Sequence, residues 1–228
     1  MQIDEDQDNI IWRALSGAQA RIASGSGEVR RYSPGFPPLL GFADCERPSL
    51  GAIAPFCKPG EQLYCAGWSG AAPAGWRIEA ETTMFRMMWK APMPDEDEAC
   101  DALRLGTAHA DRALELATLT RPGPLGIRSV ELGEYFGCFD GPRLLAMAGE
   151  RLFTGALREI SGVCTHPDFR ARGLARRLML KLVRRQLLRA ETPFLHVLRD
   201  NINARRLYEG MGFEVQREVV ARIVSMCD

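Results

Sequence analysis

From residue 158 onward the spacing of apolar side chains switches repeatedly between period 2 and period 3.6, a rhythm that few folds accommodate. Residues 158–165 read as a strand that stops at His166-Pro167, because proline removes a backbone donor and restricts the residue before it. Over 173–189 the apolar Leu174, Leu178, Leu182 and Val183 recur at helical spacing, with Arg176, Arg177, Lys181, Arg184 and Arg185 between them. Pro193 precedes a strand over 194–198, a short helix follows over 203–211 with Gly212 at its end, and a last strand starts at Phe213. Strands alternating with helices make this half of the chain α/β.

Upstream the signals are weaker. Residues 10–23 read as one amphipathic helix, while 62–68 and 76–88 read as strands among many turn formers. The run Lys90-Ala91-Pro92-Met93-Pro94 followed by Asp95-Glu96-Asp97-Glu98 reads as a linker into a helix start, since acidic groups suit a helix N-terminus. That reading divides the chain into an N-terminal lobe, 1–94, and a second domain, 95–228. Helices are expected over 95–105 and 107–119, and a hairpin over 135–148 around the turn Asp140-Gly141.

Charge bounds the function. The 228 residues carry 29 basic and 29 acidic groups, which argues against a nucleic-acid binder. The zero hides a pattern, however: residues 95–150 hold 5 basic and 11 acidic groups, net −6, and 151–210 hold 13 and 5, net +8. The basic block is where an anion is expected. Seven irregularly spaced cysteines without a CxxC pair fit reduced, packed thiols rather than a disulfide framework or a zinc module, and no metal site is expected. The opening MQIDEDQDNI lacks the basic and apolar regions of a signal peptide, and no apolar run approaches the length of a membrane span. A soluble cytoplasmic protein without membrane or nucleic-acid partners is the expectation; the oligomeric state, a homodimer included, is left open.

Two motifs carry the chemistry. The first is V-x-T-H-P-x-x-R-x-x-G-x-A, in which the loop around Gly173 opens a basic helix. Its first turn offers unpaired N–H groups and positive dipole to an anion such as a pyrophosphate. The second begins 31 residues after Arg170 and reads N-x-x-A-x-x-L-Y-x-x-x-G-F, from Asn201 to Phe213. In this order and separation the pair closely resembles the acetyl-coenzyme-A-dependent N-acyltransferases of the GNAT superfamily, over about residues 130–226. More loosely, the T-R-P-G-P, A-M-A-G-E-R-L, V-C-T-H-P and F-L-H-V segments resemble the branch that contains glycine N-acyltransferase-like proteins.

The resemblance implies a GNAT-like α/β fold, a mixed central sheet flanked by helices, here with an additional N-terminal α+β lobe. It implies that main-chain groups of Val163, Cys164 and Thr165 pair with the pantetheine arm of acetyl-CoA or another acyl-CoA, as an added strand would. It places the pyrophosphate on main-chain N–H groups of Ala171, Arg172, Gly173, Leu174, Ala175 and Arg176. Arg170 meets the consensus, Ala175 stands where glycine is frequent, and Asn201 is a polar cofactor contact. Tyr208 occupies the position of the acid that protonates the departing thiolate, and a main-chain N–H at Val163 is expected to face the oxyanion.

An acceptor amine is protonated at neutral pH, so a base or a water chain must deprotonate it before attack on the thioester. Glu159, eleven residues before Arg170, stands where histone-acetylating members carry a glutamate base. As a base on so apolar a strand it would have a raised pKa; as a plain structural residue it would face solvent from a half-exposed strand. His196 suits the same task; as a plain structural residue it would be a hydrogen-bonded core histidine. Asp200 and Glu150 are weaker candidates. Cys164 has no evident paired base. Trp12, Trp68, Trp76 and Trp89 read as core, with a place on the acceptor side left open. The expected function is transfer of a short acyl group from acyl-CoA to the amine of a small or amino-acid-like acceptor. Acceptor choice is expected to depend on the N-terminal lobe (an acceptor side or a degenerate acyltransferase-like unit), the helices between 95 and 119 and the loop near Arg121 to Ser129, none of which carries an interpretable motif. The alternative is a non-catalytic acyl-CoA-binding module, which needs Arg170, Gly173 and Asn201 but not Tyr208 or Glu159.

Overall fold

The computed structural model describes residues 9–227; the acidic opening segment read above lies, but for its last two residues, outside them. The chain runs α1 (Ile10–Ser16), β1 (Ala23–Gly25), β2 (Val29–Tyr32), β3 (Leu39–Phe42), β4 (Leu63–Ala66) and the long β5 (Trp76–Trp89). It continues with β6 (Leu103–Arg104), α2 (Ala110–Thr120), β7 (Tyr135–Asp140), β8 (Arg143–Phe153) and β9 (Leu157–Thr165). The C-terminal region holds α3 (Leu174–Leu188), β10 (Thr192–Leu198), α4 (Ile202–Met211) and β11 (Phe213–Met226). The hairpin, the helix over 173–189 and the last strand–helix–strand thus stand where the periodicity puts them.

All eleven strands join one mixed sheet in the order β1-β2-β3-β4-β11-β5-β10-β9-β8-β7-β6. Its pairings are antiparallel except β3 with β4 and β9 with β10. The boundary read at residue 94 does not separate one sheet from another. β5, from the N-terminal region, lies between β10 and β11 and pairs with both. One face of the sheet packs Phe85, Met87, Trp89, Leu195 and Phe213 against Leu178, Leu182 and Val183 of α3 and Tyr208 and Met211 of α4. On the opposite face Met88, Phe194, Leu152 and Tyr32 meet Ile10, Ala14 and Leu15 of α1. Burial on this scale, at roughly 25 cal/mol per Å² of apolar surface, is what holds both helix layers to the sheet.

Two helices differ from expectation. The one read over 10–23 ends at Ser16, where Gly17 follows. The chain then bends so that buried Gln19 donates from Nε2 to the Arg151 carbonyl at 2.8 Å. The one read over 95–105 does not form. Asp97 accepts from the nearby Ala99 N–H at 3.0 Å, a local bond that competes with helix. Glu98 and Asp101 meanwhile turn to Arg176 and Arg177, each at 2.6 Å.

Those pairs belong to a belt that explains the charge asymmetry. Lys181 is bonded to Asp97, Arg185 and Arg189 to Glu134, Arg189 also to Glu150 and Glu191, and Arg158 to Glu191. The acidic 95–150 segment therefore neutralises much of the basic block within the molecule.

Gly149 of β8 sits opposite Tyr135 of β7, and a Cβ there would come within 2.2 Å of the Tyr135 ring. Gly149→Ala should overpack this buried contact and lower unfolding stability by about 1–3 kcal/mol. Urea denaturation should show a lower midpoint with an unchanged slope.

Candidate active site

The parallel pair β9/β10 is brief. Leu157, Arg158 and Glu159 register with Thr192, Pro193 and Phe194, and beyond them the strands diverge. β10 continues on β5 as far as Leu198, and β9 continues on β8 as far as Thr165. The divergence coincides with a bulge: the β8–β9 register shifts between Met147 and Gly149, opposite Gly162, whose φ of +63 is a conformation that favours glycine. Into the split opens a cavity of about 1030 Å³. Ile160, Ser161, Gly162 and Val163 form one wall, Leu195, His196, Val197 and Leu198 the other, and Asn201, Ala204 and Tyr208 of α4 the side.

The structure brings Val163, His196, Asn201 and Tyr208 together on this cavity and leaves the other expected residues outside it. Tyr208 is buried, and burial pushes its phenol up to about 12. Asn201 caps α4, its Oδ1 accepting from the Ala204 N–H at 3.2 Å. Cys164 is buried on the α2 side among Leu116 and Met147; burial pushes its thiol up to about 11 against the hydrogen bond of Thr120, which does not suit a nucleophile.

The loop before α3 is exposed and lies outside the cavity lining. Ala171 at φ +60 and Gly173 at φ +74 turn it into a concave run ahead of the free N–H groups of Leu174, Ala175 and Arg176, a shape that fits a phosphate. Arg143 and Arg172 both lie against the Phe169 ring at its rim, 5.2 and 4.8 Å from the centroid. The side chain of Arg176 is engaged with Glu98, so its backbone is what faces such a ligand.

The expectation of a raised pKa at Glu159 is overturned. Its side chain is fully buried; burial would raise the pKa, but Arg151 outweighs it. Arg151 donates from Nε and Nη2 to the two carboxylate oxygens, both at 2.8 Å, and His196 Nδ1 lies 2.8 Å from Oε1. Together they hold the carboxyl well below the usual range, and Glu159 does not line the cavity. Burial lowers the His196 pKa against the pull of Glu159, which favours the neutral imidazole. Glu150 is buried in the ion-pair belt, and Asp200 is exposed off the cavity.

A family model described as FR47-like protein matches residues 135–222. A protein from Novosphingobium aromaticivorans DSM 12444, assigned to the GNAT acetyltransferases, is 31% identical, with 97% of this chain and 98% of that one covered and a TM-score of 0.86. The chain belongs to the GNAT family. A GCN5-related N-acetyltransferase-like protein from Streptococcus suis 89/1591 shares the fold at 17% identity and a TM-score of 0.61, over 97% of this chain and 94% of its own. No curated protein matches the sequence.

In this GNAT protein the far half of the cavity is built by strands of the N-terminal region and by β11, in which the sequence singled out none of the lining residues. Leu39, Tyr64 and Cys65 come from β3 and β4; Ala80, Thr82, Met84 and Arg86 from one face of β5; Arg217 to Ile223 from β11. The turn Arg121-Pro122-Gly123-Pro124 adds to the wall, whereas none of the four tryptophans does. Arg86, buried beside His196 and donating from Nε to its Nε2 at 3.4 Å, is the residue most plainly missed. A lone arginine in the run Met84-Phe85-Arg86-Met87-Met88 was the available signal. Burial lowers its pKa to about 10, against the attraction of Glu159. Among the described residues no helix is long and apolar enough to cross a membrane, and no three His, Cys, Asp or Glu are grouped to hold a metal ion.

The Glu159 and His196 pKa values both lie lower in the folded protein than in the unfolded chain. On acidification the unfolded chain therefore binds protons first, and stability is lost as pH falls, below about 6.5 through His196 and below about 4.5 through Glu159. The melting temperature should decline progressively from pH 7 to pH 3.5, and His196→Gln should flatten the upper range of that decline.

Proposed function

We propose that this GNAT protein transfers a short acyl group, acetyl first among them, from acyl-CoA to the amine of a small, amino-acid-like acceptor by direct attack. The observation that carries the reading is one continuous cavity. It is lined both by the diverging strands and by strands of the N-terminal region, and Tyr208 and His196 line it too. Acyl-CoA, when bound, supplies the acyl group as a thioester. The concave loop at 171–176 suits its pyrophosphate, and Val163, Cys164 and Thr165, with no β10 neighbour, suit an extended arm.

The remaining chemistry is the chain's own. Tyr208 keeps its proton to about pH 12 and can give it to a leaving sulfur. Neutral His196 can take a proton from the acceptor ammonium. The Val163 N–H stands at the bulge, where a developing oxyanion needs a donor. The far wall carries Arg86 and Arg217 beside the acidic Glu218, a mixed lining that supports an acceptor with a carboxylate besides its amine, in keeping with the glycine N-acyltransferase-like resemblance. In this reading the partners are acyl-CoA and a small amine in the cytoplasm. The self-neutralised basic block gives no support to nucleic acid.

A thiol-release assay over a panel of amines and amino acids tests this. Turnover is expected on at least one small amine, and Tyr208→Phe should cut kcat by about 10²-fold with CoA affinity nearly unchanged. Tight CoA binding without turnover on any acceptor would instead mark a binding module. Loss of CoA binding in Tyr208→Phe would make the tyrosine structural.

A further inference from the structure

Four side chains from four strands form one buried row: Arg86 of β5, His196 of β10, Glu159 of β9 and Arg151 of β8. The row determines the state of the imidazole. A carboxylate held as Glu159 is can only accept, so Nδ1 must carry the proton in the 2.8 Å contact. An arginine Nε can only donate, so Nε2 must offer its lone pair to Arg86. Both ends of the ring are thereby specified, and the contact at the Nε2 end is the long one, 3.4 Å against 2.8 Å. A hydrogen bond at that length is weak and readily displaced. His196 and Arg86 line the cavity, whereas Glu159 does not.

We propose that Glu159, braced by Arg151, is a positioning residue that holds His196 as the Nδ1–H tautomer with Nε2 toward the cavity, so that the histidine rather than the glutamate takes the acceptor's proton. The kinetic aspect rests on the acyl-transfer reading above; the tautomer does not. In the step, the Nε2 lone pair accepts a proton from the acceptor ammonium, leaving a free amine and an imidazolium. Glu159 stays ionised and faces the new charge, and the imidazolium later returns its proton to water. Three charged side chains bear on the ring: Arg86 from β5 and Arg151 from β8 oppose its protonation, and Glu159 from β9 favours it. Arg151 is itself fixed from the N-terminal region. Its carbonyl accepts from Gln19 Nε2 at 2.8 Å and from the Tyr32 hydroxyl at 3.1 Å.

The first test needs no turnover. The protein has three histidines, so ¹⁵N spectra of labelled wild type and of His196→Gln assign the His196 ring directly. Near pH 7, Nδ1 should be protonated and Nε2 bare; the opposite tautomer, or an imidazolium, overturns the proposal. The second is kinetic. Glu159→Gln should lower kcat by about 10²-fold, with the KM for acyl-CoA little changed. It should also move the acidic limb of the kcat profile to lower pH, because the charge favouring imidazolium is gone. An unmoved limb would overturn the proposal. Since Glu159→Gln strands Arg151, the double variant Arg151→Gln/Glu159→Gln separates the roles. If Glu159 only neutralises Arg151, the pair restores wild-type kcat and the proposal fails; if it positions His196, kcat stays low. Should the wild type turn over no amine, the acyl-transfer reading fails by itself, and the tautomer still decides the arrangement.

Discussion

The divergence of β9 from β10 is the constraint on which the rest of this molecule depends. Two parallel strands joined at only three register pairs leave the following residues of β9 with a neighbour on one side alone. Backbone groups at such an edge need partners from water or from another extended chain. The Gly162 bulge makes the divergence possible. A side chain there would be held at positive φ and would meet Leu125 and the Tyr135 ring at 3.4 Å. On the other side β5 holds β10 in place as it leaves β9, pairing from Met88 to Met84 with Phe194 to Leu198. The opening is thus a built feature of the sheet, flanked by the β5–β10 pairing on one side and by the bulged β8–β9 pairing on the other.

The ionic belt has a related role. Arginines along α3 and just beyond it hold the acidic segments that pass over and beside that helix, and several of these pairs are half-buried. Exposed pairs of this kind contribute little individually, but a connected network at reduced dielectric contributes more. It engages the side chains of the helix and leaves the N-terminal turn of α3 as a backbone feature. Charge that the sequence presents as a block is in three dimensions a seam.

Legibility in the sequence followed the range of the interactions. The C-terminal elements were readable because their cues are local: Pro167 and Pro193 at strand boundaries, Asn201 capping α4, Gly212 ending it. So were the turn before α3 and Tyr208, which lie within short motifs. The helix read over 95–105 failed because its carboxylates are claimed by Arg176, Arg177 and Lys181, more than 70 residues away. The N-terminal region could not be read as sharing the C-terminal sheet, since nothing local tells β5 that it will lie between β10 and β11. The lobe could be named as a place for acceptor choice, but its residues could not be picked for the same reason: Thr82, Met84 and Arg86 join the wall of the cavity beside His196 only through that pairing.

Glu159 shows how far residue type falls short of function. A glutamate on an apolar strand is expected to resist ionisation, and burial here does push that way. What reverses the outcome is Arg151, eight residues earlier across the β8–β9 hairpin, whose two donors meet both carboxylate oxygens. A paired, ionised carboxylate is a poor base but a good electrostatic partner, so in the proposed reaction the proton-accepting task falls to the next group along the row, His196. Arg151 is in turn gripped through its carbonyl by Gln19 and Tyr32 from the N-terminal region, which also supplies the far wall of the cavity. The strands that shape the far end of the cavity and the side chains that set the imidazole therefore rest on one support, and a change in the first will be felt by the second.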